Sequence, residues 1–294
     1  PPPAFTSFRV RSIELANRIV VSPMCQYSAE EGTVDDWHLV HLGSRAVGGA
    51  GLIICEATAV EPRGRISPSD AGLWSNDQIE PQARINRFLI AQGAVPGVQL
   101  AHAGRKASTA RPWEGGEFLP KAQGGWEIVG PSPIPFNDND PPPRELTLKQ
   151  IHEIQDAFVT ATVRAEQAGF QMLEIHAAHG YLMHSFHSPL SNIRRDEYGG
   201  SFENRIKFTL ETARLVRSKW PDTNPLAVRL SCTDWFEGGW TLEESIELAR
   251  KLKTEGVDMI DCSSGAGTPK ARIPAGASFQ VPFAEAIRRQ AGIP

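Results

Sequence analysis

LAVRLSC at residues 226–232, TLEESIELARKLKTEG at 241–256 and DMIDCSSG at 258–265 follow one another in a single stretch, and their order decides the fold class. The two outer runs lack the strict polar–apolar alternation of a half-exposed strand, and read as parallel strands buried on both faces. The run between them reads as a helix. Thr241 and Glu244 form a capping box, in which hydroxyl and carboxylate each satisfy an orphan N–H of the first turn. Leu242, Ile246, Ala249 and Leu252 share one face, Lys251 and Lys253 suit the negative C-terminal end, and Gly256 supplies a left-handed cap. A strand, a crossover helix and a second buried strand make a parallel βαβ unit.

The same rhythm extends toward the N-terminus. RIVVSPM (18–24), GLIICEAT (51–58), VPGVQLAHA (95–103) and MLEIHAA (172–178) are further strand runs. LTLKQIHEIQDAFVTATVRAEQAG (146–169) is a second capped helix, opened by Thr147 with Gln150 and closed by Gly169, and other helices begin near Trp37, Asp77, Ser201 and Val281. Six strand–helix units in series specify an α/β protein with a parallel sheet. A doubly wound sheet would carry a glycine-rich phosphate turn after its first strand. Here that strand ends in SPMCQ, and neither GxGxxG nor GxxxxGK[ST] occurs. The expected fold is therefore a (β/α)8 TIM barrel, a single domain over residues 1–294, with its chemistry on the loops after the strands. Only six units are visible and the chain stops at AGIP, where a seventh strand would start. A closed barrel needs two more units, on the order of 60 residues at ~30 each. Between the third strand and its helix lies a long Pro-, Gly- and Trp-rich insertion, RKASTARPWEGGEFLP to WEIVGPSPIPFNDNDPPPREL, expected to act as a lid.

The chain has 294 residues, 40% hydrophobic and 22% charged, with net charge −4. Its basic residues are scattered and matched by acids, which argues against a nucleic-acid partner. The N-terminus lacks a basic n-region and an apolar h-region, and no apolar run approaches the ~18 residues of a membrane span. Cys25, Cys55, Cys232 and Cys262 lie far apart without CxxC spacing and read as reduced thiols of a cytoplasmic protein.

In a barrel, the last residues of every strand face one mouth. The set collected there is Pro23, Met24 and Cys25; Ala57 and Thr58; Gln99 and His102; His176 and His179; Arg229; and Ser263 to Gly265. A metal reading would use Glu174, His176 and His179. It is weakened by Arg229, whose permanent charge repels a dication. A hydrolytic nucleophile is weaker still, because no GxSxG-type elbow occurs. The set suits a planar heterocycle with donors and acceptors on its rim. Gln99 can donate and accept at once, Arg229 can stabilise negative charge as on a reduced isoalloxazine, and backbone at Met24, Cys25 and Ala57 can address the other edge.

Six motifs in order, ELANRIVV, SPMCQYSAEEG, EATAVEPRGR, QLAHAGRKA, HAAHGYLMHSF and SNIRRDEYGGSFENR, together resemble the Old Yellow Enzyme family of FMN-dependent ene-reductases. More narrowly, they resemble its bacterial cysteine-bearing subgroup, called thermophilic-like or xenobiotic-reductase-like. The resemblance runs from about Phe5 to the last residue. It implies FMN across the barrel mouth, NADPH or NADH as reductant, and ping-pong reduction of activated C=C bonds in enone-type substrates. Mapped here, Ser22, Pro23, Met24 and Cys25 line the flavin near N5, Ala57 and Gln99 meet its pyrimidine edge, and Arg229 sits by N1 and O2. His176 and His179 hold the substrate carbonyl, Tyr27 assists, and Tyr181 donates the proton. Lys106 is a weaker candidate at the flavin edge. The resemblance also implies a homo-oligomer, a dimer or tetramer, and a phosphate site on turns beyond Pro294. The rivals are a dienoyl-CoA-reductase-like flavoenzyme and a metal-dependent barrel hydrolase. His38, His41, His102, His184 and His187 are expected in packing or supporting roles. Asn192, Asp196, Gly199, Gly200, Asn204 and Arg205 are expected to brace a long loop.

Overall fold

The computed structural model describes all residues, 1–294. Chain order begins with a hairpin, β1 (Phe8–Val10) and β2 (Ile13–Leu15), paired antiparallel through a tight turn at Arg11, whose φ is +51°. There follow β3 (Val20–Val21), α1 (Asp36–Val47), β4 (Leu52–Ala59), α2 (Ile79–Ala91) and β5 (Val95–Ala101). The short parallel pair β6 (Val129–Gly130) and β7 (Arg144–Glu145) precedes α3 (Leu148–Gln167) and β8 (Met172–Ala177). Next come α4 (Leu182–His187), α5 (Phe202–Arg217), β9 (Leu226–Ser231), α6 (Leu242–Thr254), β10 (Met259–Ser263) and α7 (Val281–Ala291).

Six strands, β3, β4, β5, β8, β9 and β10, form one parallel sheet in which each strand neighbours the next along the chain. That order is the one a (β/α) barrel requires, and β3 and β10 form the two edges. The expectation of burial on both faces holds for the inner strands, where every residue of β4, β5 and β8 is buried and all of β9 but Arg229. It is corrected at the two edges, where no residue of β3 and only Ile260 and Ser263 of β10 are buried, because no further strand flanks them. The helices cover the outer face and contribute Ile85, Leu89, Ile151, Ile154, Phe158, Ile206, Phe208, Ile246 and Leu252 to the main core. Thr147 and Thr241 form the expected capping boxes with Gln150 and Glu244. RIVVSPM is corrected by the structure to a strand of only two residues, because Ser22 to Ala29 runs on as an irregular mouth loop.

The hairpin lies against the opposite end of the sheet. Leu15, Leu52, Ile54, Val95, Met172 and Ala227 form a separate small core there, with Phe8 and Ile13 packed on it. The insertion runs from His102 to Thr147. It is ordered by short 3-10 turns and by β6–β7, and is pinned by Arg105, which donates to the carbonyls of Ile134 and Pro135 and, at 2.6 Å, of Gly267. No helix is long and apolar enough to cross a membrane.

Candidate active site at the carboxyl ends of the strands

Residues i and i+2 of a strand face the same way, so Glu174 and His176 on β8 point together into the barrel. Gln99 lies opposite Glu174 on β5, Arg229 opposite His176 on β9, and Asp261 opposite Arg229 on β10. Immediately after β8 the chain makes a tight turn through His179 (φ +61°) and Gly180 (φ +74°) into α4. This turn brings three rings together. The His176 ring meets those of His179 and Tyr181 edge-to-face, at centroid distances of 5.2 and 5.0 Å. A Cβ on Gly180 would come within 2.3 Å of the Ala266 carbonyl oxygen, so glycine is required for the turn to pass β10's loop.

Hydrogen bonds determine how the rings are presented. The Ala178 N–H donates to His176 Nδ1 at 3.3 Å, which leaves the proton of the neutral ring on Nε2. His179 N–H donates to Ser231 Oγ at 2.9 Å, and its Nε2 lies 2.6 Å from Ser263 Oγ. Burial, then the charges around them, lower both imidazoles: His176 falls well below the usual histidine range and His179 to about 3, with Arg229 and Lys106 adding to desolvation. Both rings are neutral at pH 7, each with one N–H to donate. Burial raises the Tyr181 phenol well above its usual value, reinforced by Cys25, Tyr27 and Asp70, so it keeps its proton.

Lys106 Nζ donates to the carbonyls of His179 (2.8 Å) and Ala266 (3.2 Å) and sits over the rings of Phe136 and Tyr181. Desolvation, with Arg105 nearby, lowers its pKa to about 7. Beyond it opens a cleft of about 970 Å³ between mouth and insertion, with Tyr27, Lys106, Phe118, Phe136 and Tyr181 in its wall. Tyr27 adopts φ +51° and packs edge-on against Trp113 of the insertion.

The SPMCQ loop is held from beneath. At Glu56 the β4–β5 register shifts by one residue, a bulge that turns the buried Glu56 carboxylate toward the loop. Glu56 Oε2 accepts the Gln26 N–H at 3.0 Å, and Oε1 lies 3.3 Å from His38 Nε2, whose Nδ1 pairs with Asp35. The Cys25 thiol is half-buried, and desolvation, then Asp70 and Glu56, raises its pKa well above the usual thiol range. Met24 is 49% exposed at the rim.

The match to known sequences carries the assignment. The family described as "NADH:flavin oxidoreductase / NADH oxidase family" matches residues 3–290. The chain belongs to this family, that of the Old Yellow Enzymes. It is 46% identical over 292 residues to the NADPH dehydrogenase of Geobacillus thermodenitrificans, across 99% of this chain and 81% of that protein. The solved 2-naphthoyl-CoA reductase in complex with 2-naphthoyl-CoA superposes with a TM-score of 0.86 at 28% identity, over 99% of this chain and 45% of that one. The old yellow enzyme homologue from Zymomonas mobilis gives 0.80 at 27% identity, over 98% of this chain and 80% of that one. The six-stranded sheet is thus part of a TIM-barrel fold, and the protein is an FMN-dependent NAD(P)H oxidoreductase.

For an Old Yellow Enzyme, the donor set at the mouth fits a flavin ring. Gln99 Nε2 is taken up by Glu174 Oε1 at 2.8 Å, which leaves the amide oxygen available. Arg229 lies 3.1 Å from Asp261, but its Nε lacks a hydrogen bond of good geometry. Ser22 lines a cavity of about 220 Å³ with Glu174 and Asp261, while Ala57 follows the Glu56 bulge. His102, His184 and His187 all have partners away from the three-ring cluster: Glu61, Asp234 and Thr209. Asn192 donates to the carbonyls of Phe186 and Tyr198, and Asn204 to those of Asp196 and Gly199, bracing the loop before α5. No three or more His, Cys, Asp or Glu side chains converge as a metal cluster. Sequence reading missed Glu56, Asp70 and Asp234, buried acids whose only signal is their place inside apolar or glycine-rich runs.

Proposed function

We propose that this protein reduces activated C=C bonds of α,β-unsaturated carbonyls at the His176–His179–Tyr181 cluster. The observation that carries the reading is the packing of the His179 and Tyr181 rings on that of His176, at 5.2 and 5.0 Å, beside Gln99 and Arg229 at the strand ends. The group supplied by the cofactor, FMN reduced by a nicotinamide, is a hydride donor. Everything else is the work of the chain. His176 Nε2–H and His179 Nδ1–H, the latter with Ser263 Oγ–H donating to His179 Nε2, donate to the substrate's carbonyl oxygen and stabilise the negative charge that builds there as the β-carbon is reduced. Tyr181 gives its proton to the α-carbon from the cleft side. Tyr27 and Phe136 bound the substrate, and residues of the insertion line the cleft above it.

Ser22, Pro23, Met24, Cys25, Ala57, Gln99 and Arg229 are assigned to the flavin ring, and Cys25 in the mouth loop supports the proposal that the chain is of the cysteine-bearing subgroup. The test is an anaerobic absorbance experiment. NADPH should bleach the flavin bands near ~450 nm, and 2-cyclohexenone should restore them. Initial-rate plots at varied NADPH and enone should be parallel. Intersecting plots, or bleaching that the enone does not reverse, would refute the reading.

A further inference from the structure

Beneath the assigned ring site lies an acid pair, one member buried and the other partly exposed, that no step above uses. Glu174 on β8 is 1% exposed, and it lines with Asp261 of β10 one cavity of about 220 Å³. Each neighbouring strand contributes to its surroundings. β5 supplies Gln99, whose Nε2 donates to Glu174 Oε1 at 2.8 Å, and β9 supplies Arg229, 3.1 Å from Asp261. The β4 residues at this cavity are Leu52 and Ile54, Ser22 comes from the loop after β3, and His176, on the same strand as Glu174, is neutral. Glu174 Oε2 is left without a hydrogen-bond donor. Two facing carboxylates are both acceptors, so a proton between them turns that orphaned oxygen into a donor to Asp261.

The charge count points the same way. With both acids ionised, one guanidinium and two carboxylates leave a net charge of −1 around the buried Glu174. With one proton held, the cluster is neutral. Burial, then the Asp261 charge, raises the Glu174 pKa to about 8, and burial raises Asp261 as well, so the proton is held at neutral pH.

We propose that Glu174 is a positioning residue for the flavin. Its protonated carboxyl donates to Asp261 and fixes the Gln99 amide with its oxygen toward the ring. It also keeps the cluster under the pyrimidine end neutral, so that the charge of Arg229 is not outweighed by two anions. Loss of the proton removes the donor to Asp261 and places a net negative charge under the ring. The inference rests on the assignment of Gln99 and Arg229 to the flavin.

The experiment is a titration of the full chain with FMN, followed by flavin fluorescence between pH 7 and 9, on wild type, Glu174→Gln, Glu174→Ala and Gln99→Ala. Linkage limits the loss of affinity to tenfold per pH unit for one proton, so wild type should weaken by up to about tenfold over the upper half of this range. Glu174→Gln mimics the protonated acid and should bind like wild type at pH 7 with no loss at pH 9. Glu174→Ala should weaken binding by about tenfold at every pH, because the Gln99 amide is released. A wild-type pH dependence retained in Glu174→Gln, or unaltered affinity in Glu174→Ala, overturns the proposal. If Gln99→Ala also leaves affinity unchanged, or the wild type binds no FMN, the assignment of the ring site falls with it. Weakening by Gln99→Ala alone confines the failure to Glu174.

Discussion

Tyr181→Phe separates the two halves of the proposed reaction. No protein group hydrogen-bonds the Tyr181 hydroxyl; burial and nearby charges alone perturb it. Removing it therefore leaves no buried partner unsatisfied, and the ring keeps its contacts with His176 and with Lys106 at 5.1 Å. Folding stability should stay within about 0.5 kcal/mol of wild type, the ordinary range for a change that creates no cavity and orphans no polar group. The chemical cost is different in scale. A positioned general acid contributes about 10²- to 10⁴-fold, or roughly 3–5 kcal/mol of barrier. It acts only when the α-carbon takes its proton. Single-turnover stopped-flow should show flavin bleaching by NADPH within about twofold of wild type. Reoxidation by 2-cyclohexenone should slow by a factor on the order of 10² or more. Equal slowing of both half-reactions, or an enone half-reaction as fast as wild type, would refute the assignment of the proton to Tyr181.

Three further outcomes follow from neighbouring contacts. Asp234 accepts from Trp240 N–H at 2.8 Å and pairs with His184 at 3.0 Å, and His184 Nδ1 in turn accepts from Gly180 N–H. Burial alone would raise its pKa, but His184 and the hydrogen bonds hold it at about 2. A depressed carboxylate adds stability that is present above its unfolded pKa of ~4 and lost as pH falls through its folded value, about 2 kcal/mol here. Asp234→Asn should lower urea-unfolding stability by that amount or more at pH 7, with a gap that narrows below pH 4; a constant gap would point to packing instead. Gly180→Ala should cost about 1–2 kcal/mol for its left-handed backbone alone, and it should also depress kcat/KM by displacing His179 and Tyr181. Wild-type kinetics in a folded variant would show that the turn tolerates the clash. Cys25 should stay a thiol, not a thiolate, at pH 8, so iodoacetamide should label it at less than about a tenth of the rate of free cysteine. Faster labelling would overturn the burial argument.

How much of this was legible depends on the range over which each signal acts. The helices beginning at Leu148 and Leu242 were readable because a capping box is four adjacent residues, and both threonines do what their spacing requires. The long strands were readable because burial on both faces leaves a continuous apolar run, as in β4 and β5. The β1–β2 hairpin was not read. Its alternation spans three residues a side, and its turn residue is Arg11 rather than the glycine or asparagine that advertises positive φ. The short α4 escaped because all six of its residues are buried, which erases the amphipathic period. The same limit governs the site. His176, His179 and Tyr181 are neighbours in sequence, so the cluster could be seen before any fold. Glu174 was legible only as a possible metal ligand beside His176 and His179, because what defines its role comes from β5, β9 and β10, as far as 87 residues away at Asp261. A local pattern can identify the groups that touch substrate. The groups that set their charge and orientation arrive through strand register, and only a correct topology brings Gln99, Arg229 and Asp261 around Glu174.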